Sequence, residues 1–204
     1  MKTELSSFLA ALSTKEPIPG GGGASALIGA VSVALCSMVA NLTTGKKRYA
    51  EYQADIDAIL LRTAVSIPKL RTLIERDAEV FGPLAKAYGI PKDMPGRDEI
   101  LEAALFTACS VPLEILRELA GVVDLLEQLS QKGSRLALSD VGVAAAACRA
   151  AMEGAIMNVY INTKLMKNRD CAARLNAEAE TVVSGGVVRC LAVYEHITNE
   201  LRVM

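Results

Sequence analysis

The longest uninterrupted apolar pattern lies near the start of the chain. No charged residue occurs between Glu16 and Lys46, and residues 24–42 carry only apolar or uncharged polar side chains. A run of this length can cross a membrane, or it can form a helix buried on all sides at the centre of a bundle. Because polar residues such as Ser32 and Asn41 interrupt the run, the pattern favours the buried central helix.

Apolar residues also recur at helical spacing through the rest of the chain. Leu116, Leu119, Val123 and Leu126, for example, fall on one helical face. No stretch alternates apolar and polar residues as a half-buried strand does. We therefore predict an all-α protein, a single-domain helical bundle of residues 1–204 around the long buried apolar helix. The other predicted helices are 6–12, 49–88, 98–110 and 112–131, which are either two helices or one with a kink, 139–154, which residues 155–166 continue or restart, 170–184 and 187–201.

Proline and glycine residues are expected to interrupt several of these helices. Pro68 and the Gly-Pro pair at 82–83 should break the longest pattern, because proline removes a backbone hydrogen bond. The Gly-Gly pair at 185–186 should separate the last two helices. Ser139 is expected to cap the helix that follows it.

The composition limits the kinds of site that the chain can build. A formal net charge of -1 gives no general attraction to nucleic acid or to an anionic membrane. The five cysteines are widely spaced without a C-x-x-C pair, and no signal peptide is present, which favours a cytoplasmic protein. His196 is the single histidine, so neither a Cys/His zinc site nor a Ser-His-Asp triad is expected.

Four consecutive glycines, Gly20, Gly21, Gly22 and Gly23, precede the long apolar helix. Exposed N–H groups at such a helix start favour anions, and the missing side chains let a ligand approach the backbone. The spacing loosely matches a dinucleotide-binding fingerprint, but no strand precedes it, which rules out that interpretation. The pattern favours a ligand-binding loop over a merely flexible connection.

Asp77 occupies a core-facing position on its predicted helix. It lies three residues after Ile74 and four before Phe81, both of which belong to the inward apolar stripe. A buried carboxylate is costly unless it is paired or functional, and burial tends to raise its pKa. Asp77 is therefore either a salt-bridge partner of another helix or part of a functional site.

Several other polar residues have two interpretations each. Asp140 falls in the first turn of an Ala-rich helix, where it either complements the helix dipole or faces a pocket. Asn158 and Asn162 share one helical face and either bond another helix or bind the polar edges of a heterocycle. The cations at 46–48 follow a helix end and either remain solvated or hold a carboxylate.

Several short motifs occur in a fixed order along residues 17–165. The two longest are Pro17-Ile18-Pro19-Gly20-Gly21-Gly22 and Met38-Val39-Ala40-Asn41-Leu42-Thr43-x-Gly45-Lys46-Lys47. The others are Asp77-Ala78-Glu79-x-Phe81, Ala87-Tyr88-x-Ile90-Pro91, Val111-Pro112-Leu113-Glu114, Ser139-Asp140-x-Gly142-Val143-Ala144 and Asn158-Val159-x-Ile161-Asn162. Together they resemble the signature of the formimidoyltetrahydrofolate cyclodeaminase/methenyltetrahydrofolate cyclohydrolase family. Their number and order are more specific than any single glycine motif.

The resemblance implies a helical, homodimeric enzyme that acts on a tetrahydrofolate derivative with no metal and no organic cofactor. One implied activity is that of a cyclohydrolase, which interconverts 5,10-methenyl- and 10-formyltetrahydrofolate. The other is that of a cyclodeaminase, which releases ammonia from formimidoyltetrahydrofolate. The alternative is a non-catalytic helical scaffold or folate-binding protein. Neither nucleic acid nor a membrane is an expected partner.

The resemblance also implies roles for individual residues. On this basis we expect Asp77 and Asp140 to face one shared hollow and to be catalytic, transferring protons or stabilising a cationic one-carbon unit. The cations suit the anionic glutamate tail of a folate, and the amides suit its pterin ring. Two positions depart from the family pattern, since Gly23 often has Ser in its place and Tyr160 replaces an often basic residue. The expected substrate-binding residues are Gly20, Gly21, Gly22, Gly23, Asn41, Lys46, Lys47, Arg48, Ser139, Asn158 and Asn162.

Overall fold

The computed structural model describes the backbone of residues 2–203 and the side chains of residues 5–203. This part of the chain forms six α-helices and two short 3-10 helices, without a β-strand. The prediction of an all-α protein is confirmed. The α-helices are α1 (Lys2–Leu12), α2 (Gly21–Thr43), α3 (Gln53–Tyr88), α4 (Arg97–Lys132), α5 (Leu138–Thr163) and α6 (Arg169–Val203). The 3-10 helices are Lys47–Tyr52 and Arg135–Ala137.

Helix α2 packs against α3, α4 and α5, as its apolar sequence predicts. Glycine allows a close approach, because a Cβ at Gly29 would lie only 2.9 Å from Leu119 Cδ2. Val33 is fully buried in the same core. The expectation that α2 is buried on all sides is wrong, because one face that includes Ile28 and Val31 is exposed. By length and composition alone α2 could cross a membrane, yet 56% of its most apolar window is buried.

Helices α2 and α5 run antiparallel over most of their length. At one end Gly21 lies against Asn158, since a Cβ at Gly21 would be 3.3 Å from the Asn158 amide. Towards the other end Ser32 Oγ donates a hydrogen bond of 2.8 Å to the carbonyl of Ala144. The pair therefore has two distinct ends, one at the start of α2 and the other at the start of α5.

Helix α3 is longer than predicted, because the expected breaks at Pro68 and at 82–83 do not occur. Pro68 and Pro83 both lie inside α3, and both are exposed. Water can therefore bond the carbonyl groups that these prolines leave without an N–H partner. Pro112 likewise lies inside α4, where two helices or one kinked helix were predicted. Packing of these long helices outweighs the local cost of proline.

The expected boundaries at 185–186 and at Ser139 are also wrong. Helix α6 continues through both glycines, and a Cβ at Gly186 would lie 2.3 Å from Met152 Cε on α5. Gly186 therefore permits close helix packing rather than a turn. Helix α5 begins at Leu138 without a side-chain cap, and Ser139 is exposed within its first turn.

A buried acid links α3 to α4. Glu118 is 1% exposed, and its carboxylate accepts a 2.6 Å hydrogen bond from Ser66 Oγ. Arg62 and Lys69 reach it at 2.8 Å and 2.7 Å. Burial raises the pKa of the Glu118 carboxyl, but hydrogen bonds from Lys69 and Ser66 and the charge of Arg62 outweigh burial and hold the pKa below its ordinary value.

We expect Glu118→Gln to lower the free energy of unfolding by about 1–3 kcal/mol at pH 7, because it removes the buried charge that three donors share. Since folding depresses the Glu118 pKa, this stabilisation is present above the unfolded-state pKa and is lost as pH falls through the folded-state pKa. Urea denaturation at neutral and acidic pH measures both effects. A difference in unfolding free energy between wild type and Glu118→Gln that is the same at every pH would contradict this account.

Candidate active site

Five of the residues predicted from the sequence line one cavity. The cavity has a volume of about 200 Å³ and lies where the start of α2 meets α3 and the end of α5. The predicted residues in its lining are Gly20, Gly21, Asp77, Asn158 and Asn162. The glycine loop, the core-facing acid and the two amides therefore belong to the same place.

The start of α2 is built around the carboxylate of Asp77. The Gly23 N–H donates a hydrogen bond of 2.8 Å to Asp77 Oδ2. A Cβ at Gly22 would lie 2.1 Å from Asp77 Oδ1, so glycine alone leaves room for the acid. The positive end of the helix dipole also favours a negative charge here. Gly22 and Gly23 thus act through Asp77, although neither lines the cavity.

Two opposing effects set the proton affinity of Asp77. Burial raises the pKa of its carboxyl above the ordinary value, and the hydrogen bond from Gly23 offsets part of that rise. No salt bridge to Asp77 forms within the described part of the chain, so the structural alternative of an ion pair is wrong. Asp77 is a partly buried acid that faces an open volume and can exchange a proton there.

The amide groups of Asn158 and Asn162 are oriented by their own helix. Asn158 Nδ2 donates to the Gly154 carbonyl at 2.9 Å, and Asn162 Nδ2 donates to the Asn158 carbonyl at 2.9 Å. The second N–H and the carbonyl oxygen of each amide remain for a ligand. Beside Asp77, these groups can bind a heterocycle that carries amide and amino edges.

Apolar side chains complete the cavity, and the sequence did not assign them to it. Ile18, Phe81 and Ile161 contribute to its lining, together with Pro17 and Val80. The sequence placed Phe81 on the inward apolar stripe of its helix, four residues after Asp77. This spacing could have assigned Phe81 to the cavity. Ile161 lies between the two asparagines on the same helical face, so it too could have been assigned to the cavity. These side chains suit the flat, apolar faces of a ring.

The other predicted residues lie at the far end of the α2/α5 pair. Helix α2 has 23 residues, which separates the 46–48 cations from the glycines by about 35 Å. Asp140 precedes Asn158 by 18 residues on α5, a rise of about 27 Å. The expectation that Asp77 and Asp140 face a shared hollow is therefore wrong within one chain.

Three features characterise this far end. Asn41, Lys46, Lys47, Arg48 and Ser139 are exposed. The Asn41 amide donates to the carbonyl four residues before it at 2.8 Å. Within residues 5–203 none of the three cations forms an ion pair. The cations are available for an anion that comes from outside the chain.

A larger and more open groove, of about 640 Å³, lies elsewhere on the surface. Asp98, Glu102, Phe106 and Lys167 are among its lining residues, and no residue predicted from the sequence to bind substrate belongs to it. Two of its three acids already bond within the chain, since Glu102 accepts from the Lys167 N–H at 2.7 Å and Asp98 pairs with the Lys167 ammonium group. The described side chains also include no group of three or more metal-ligand residues. The smaller cavity is therefore the better candidate.

We expect Gly22→Ala to lower the free energy of unfolding by about 1–3 kcal/mol, because the new methyl group displaces Asp77 and breaks its bond to Gly23. Gly185→Ala is the matched control, since a Cβ there meets nothing within 4 Å. On the exposed surface of α6 it should raise stability by about 0.5–1 kcal/mol. Urea denaturation measures the free energy of unfolding of both variants. Equal changes in the two would contradict the proposed crowding at Gly22.

Comparisons with known proteins identify relatives of this chain. Over residues 4–181 the sequence matches the family model described as formiminotransferase-cyclodeaminase. A methenyltetrahydrofolate cyclohydrolase of Methylorubrum extorquens is 36% identical over 97% of both chains. The formimidoyltransferase-cyclodeaminase of Rattus norvegicus is 30% identical, and the match covers 89% of this chain and 36% of that protein.

The fold has a solved counterpart. The crystal structure of a formiminotetrahydrofolate cyclodeaminase from Thermotoga maritima superposes with a TM-score of 0.83 at 30% identity. The match covers 95% of this chain and 96% of that one, so it includes the helices that form the cavity. On the family match, the full-length relative and the shared fold, this chain belongs to the formiminotransferase-cyclodeaminase family.

Proposed function

We propose that this protein is a folate one-carbon enzyme, a methenyltetrahydrofolate cyclohydrolase that uses the Asp77 cavity. The observation that carries this proposal is a carboxyl of raised pKa, without an ion-pair partner among the described residues, that faces a cavity beside two amides. The Methylorubrum extorquens cyclohydrolase supports it, because that relative aligns with this chain over almost its whole length.

The reaction requires a proton to be taken and later returned. Water adds to the cationic bridge carbon of methenyltetrahydrofolate and loses a proton. The hydroxyl group so formed gives up its remaining proton to solvent as the bond between that carbon and N5 breaks, N5 takes up a proton, and a formyl group remains on N10. The Asp77 carboxylate accepts the proton from water and can return it to N5. Its negative charge also stabilises the cationic substrate in a site partly shielded from water.

The remaining groups would hold the pterin ring in place. Asn158 and Asn162 offer donors and acceptors to its amide and amino edges. The cavity wall at Gly20 and Gly21 consists of backbone, which allows a flat ring to approach closely. Phe81 supplies an apolar contact to the ring face. No group outside the chain is required for these steps, and we propose that the enzyme acts without metal or organic cofactor.

A second activity of the same cavity is cyclodeamination. In that reaction N10 attacks the formimino carbon and gives its proton to the imino nitrogen, which leaves as ammonia once it has received a second proton. The Thermotoga maritima cyclodeaminase favours this candidate, because its fold matches nearly the whole chain. Asp77 would deliver the proton to the departing nitrogen. We place it second because the Methylorubrum extorquens cyclohydrolase is more similar in sequence.

We further propose a soluble, cytoplasmic homodimer that binds neither membrane nor nucleic acid. The apolar composition of α2 is accounted for by its packing against three neighbouring helices. The formal net charge of -1 offers no general field for anionic polymers. The five cysteines are all free and buried, as suits a reducing compartment.

The activity is tested with purified protein and each folate in turn. We expect 5,10-methenyltetrahydrofolate to lose its absorbance as it is hydrolysed, and Asp77→Asn to slow this by about 100-fold or more. Asp57→Asn, an exposed change on the same helix, should leave the rate unchanged. Ammonia release from formimidoyltetrahydrofolate would select the second candidate. Binding of folates with no turnover of either substrate would favour the non-catalytic alternative.

The Asp77→Asn variant should remain folded. Because folding raises the Asp77 pKa, the carboxyl favours the folded state most below its unfolded-state pKa, and this advantage is lost as pH rises through the folded-state pKa. Asp77→Asn removes this dependence and keeps an oxygen that can accept from Gly23. We therefore expect its stability relative to wild type to increase with pH across that interval and then level off. Thermal melts of both proteins from acidic to neutral pH measure this change. A variant that loses stability relative to wild type towards neutral pH would contradict it.

A further inference from the structure

Two glycines hold α5 and α6 close together in an antiparallel arrangement. A Cβ on Gly142 of α5 would lie 3.4 Å from Ile197 Cγ2, near the end of α6. Towards the other end of α5, a Cβ on Gly186 of α6 would overlap the Met152 side chain. At both points the absent side chain lets the two helix backbones approach.

Cys148 and Cys190 face one another between these two contacts. Cys190 follows Gly186 by one helical turn, and Cys148 precedes Met152 by one turn. In an antiparallel pair these steps lead to opposite positions, and the two sulfur atoms lie within hydrogen-bonding reach. A disulfide needs such an approach, because the Cα atoms that it joins are usually less than about 7 Å apart.

A small cavity opens next to Cys190. It has a volume of about 180 Å³, and its lining consists of Ala145, Ala146, Arg149, Cys190, Leu191 and Tyr194. Cys148 is fully buried and Cys190 is only 1% exposed, so the cavity offers a small solute its route to the pair. Hydrogen peroxide is small enough to enter a space of this size.

Arg149 brings an unsatisfied donor to the same cavity. Within residues 5–203 its Nε is buried without a hydrogen-bond partner, and its guanidinium group forms no ion pair. A buried N–H without an acceptor is costly and calls for an explanation. An oxygen atom of a peroxide held in the cavity would supply the acceptor.

The surroundings favour Cys190 as the reactive thiol of the pair. A hydrogen bond from Cys148 lowers the pKa of the Cys190 thiol below its ordinary value; burial opposes this shift, and the charges of Arg189 and Arg149 add to it. The S–H of Cys148 can turn between Cys190 and the Leu119 carbonyl, 3.9 Å away. Burial and the nearby Cys190 raise the pKa of Cys36 to about 12, so this neighbouring thiol stays protonated.

We infer that Cys190 and Cys148 form a redox-active pair, in which hydrogen peroxide enters the cavity beside Arg149, oxidises Cys190 and leaves a disulfide to Cys148. The pair lies about 15 Å along α5 from Asn158 and outside the Asp77 cavity. The inference therefore does not rest on the proposed function. In a reducing compartment such a disulfide is transient, as in proteins that sense oxidants.

The oxidation proceeds in two steps. The Cys190 thiolate attacks one oxygen of the peroxide, the O–O bond breaks, and a sulfenic acid forms as hydroxide leaves. Arg149 can donate a hydrogen bond to the departing oxygen. The Cys148 sulfur then displaces the hydroxyl group of the sulfenic acid, its own proton leaves with that group as water, and the S–S bond forms. Two thiols are thereby oxidised by two electrons, and the peroxide is reduced to water.

Peptide mapping of the folded protein tests the pairing. After treatment with hydrogen peroxide and alkylation of the remaining thiols, digestion without reductant should yield a peptide that links Cys148 to Cys190. Dithiothreitol should abolish this link. Cys171, which is 9% exposed in the larger groove, is the internal comparison for access alone. A link from Cys190 to Cys36, or oxidation of Cys171 while the pair stays reduced, would overturn the inference.

Single variants separate the roles of the two sulfur atoms. Cys148→Ser should leave Cys190 as a sulfenic acid that dimedone labels, whereas Cys190→Ser should leave Cys148 as an unlabelled thiol. Cys36→Ser should retain the link between the pair. Labelling of Cys148 in the Cys190→Ser chain would contradict the assigned order of reaction. The wild-type map decides the pairing even if a variant fails to fold.

The rate of Cys190 oxidation tests the part played by the cavity. Arg149→Gln should slow it about 3-fold or more, because the charge that favours the thiolate is lost, and Arg149→Lys should keep most of the rate. Arg174→Gln, an exposed change on α6, is the matched control and should have no effect. An unchanged rate in Arg149→Gln would contradict the inference. A rate that rises steeply at low urea concentrations would also do so, because the thiols would then react only after unfolding.

Discussion

The hydrogen bond from the Gly23 N–H to Asp77 joins the first turn of α2 to the middle of α3, and the cavity is organised around it. The bond and the helix dipole favour the ionised acid, whereas burial favours the protonated one. Gly22 leaves the space that the carboxylate fills. The glycine motif therefore holds an acid at a helix start, and its role as a surface for a ligand depends on that acid.

The antiparallel α2/α5 pair explains why conspicuous polar residues lie so far apart. One end presents the acid and the amides of Asn158 and Asn162, and the other presents the cations and Asp140. A methenyl folate carries its cationic one-carbon unit and pterin ring at one end and its carboxylates at the other. Acid and amide groups suit the first end, and cations suit the second.

Much of this could be predicted from the sequence, and several of the errors share one physical cause. Periodicity and the missing strand patterns established the all-α class, and the core-facing position of Asp77 pointed to the cavity. Local rules failed at Pro68, at Pro112 and at Gly186, because tertiary packing outweighs the preference of a single residue. The separation of Asp77 from Asp140 follows from the antiparallel pairing of α2 and α5, which the local sequence pattern does not reveal.

The backbone wall of the cavity also bears on how its selectivity could be altered. At Gly20 and Gly21 the cavity wall consists of main-chain atoms, and a Cβ at Gly21 would lie 3.3 Å from the Asn158 amide. A substitution at Gly21 therefore requires Asn158 to shift by a few tenths of an ångström. The side-chain wall is formed by Ile18, Phe81 and Ile161, whose size sets the width of the cavity. An altered ligand preference should accordingly arise from those aliphatic and aromatic positions, while Gly22, which leaves room for Asp77, stays fixed.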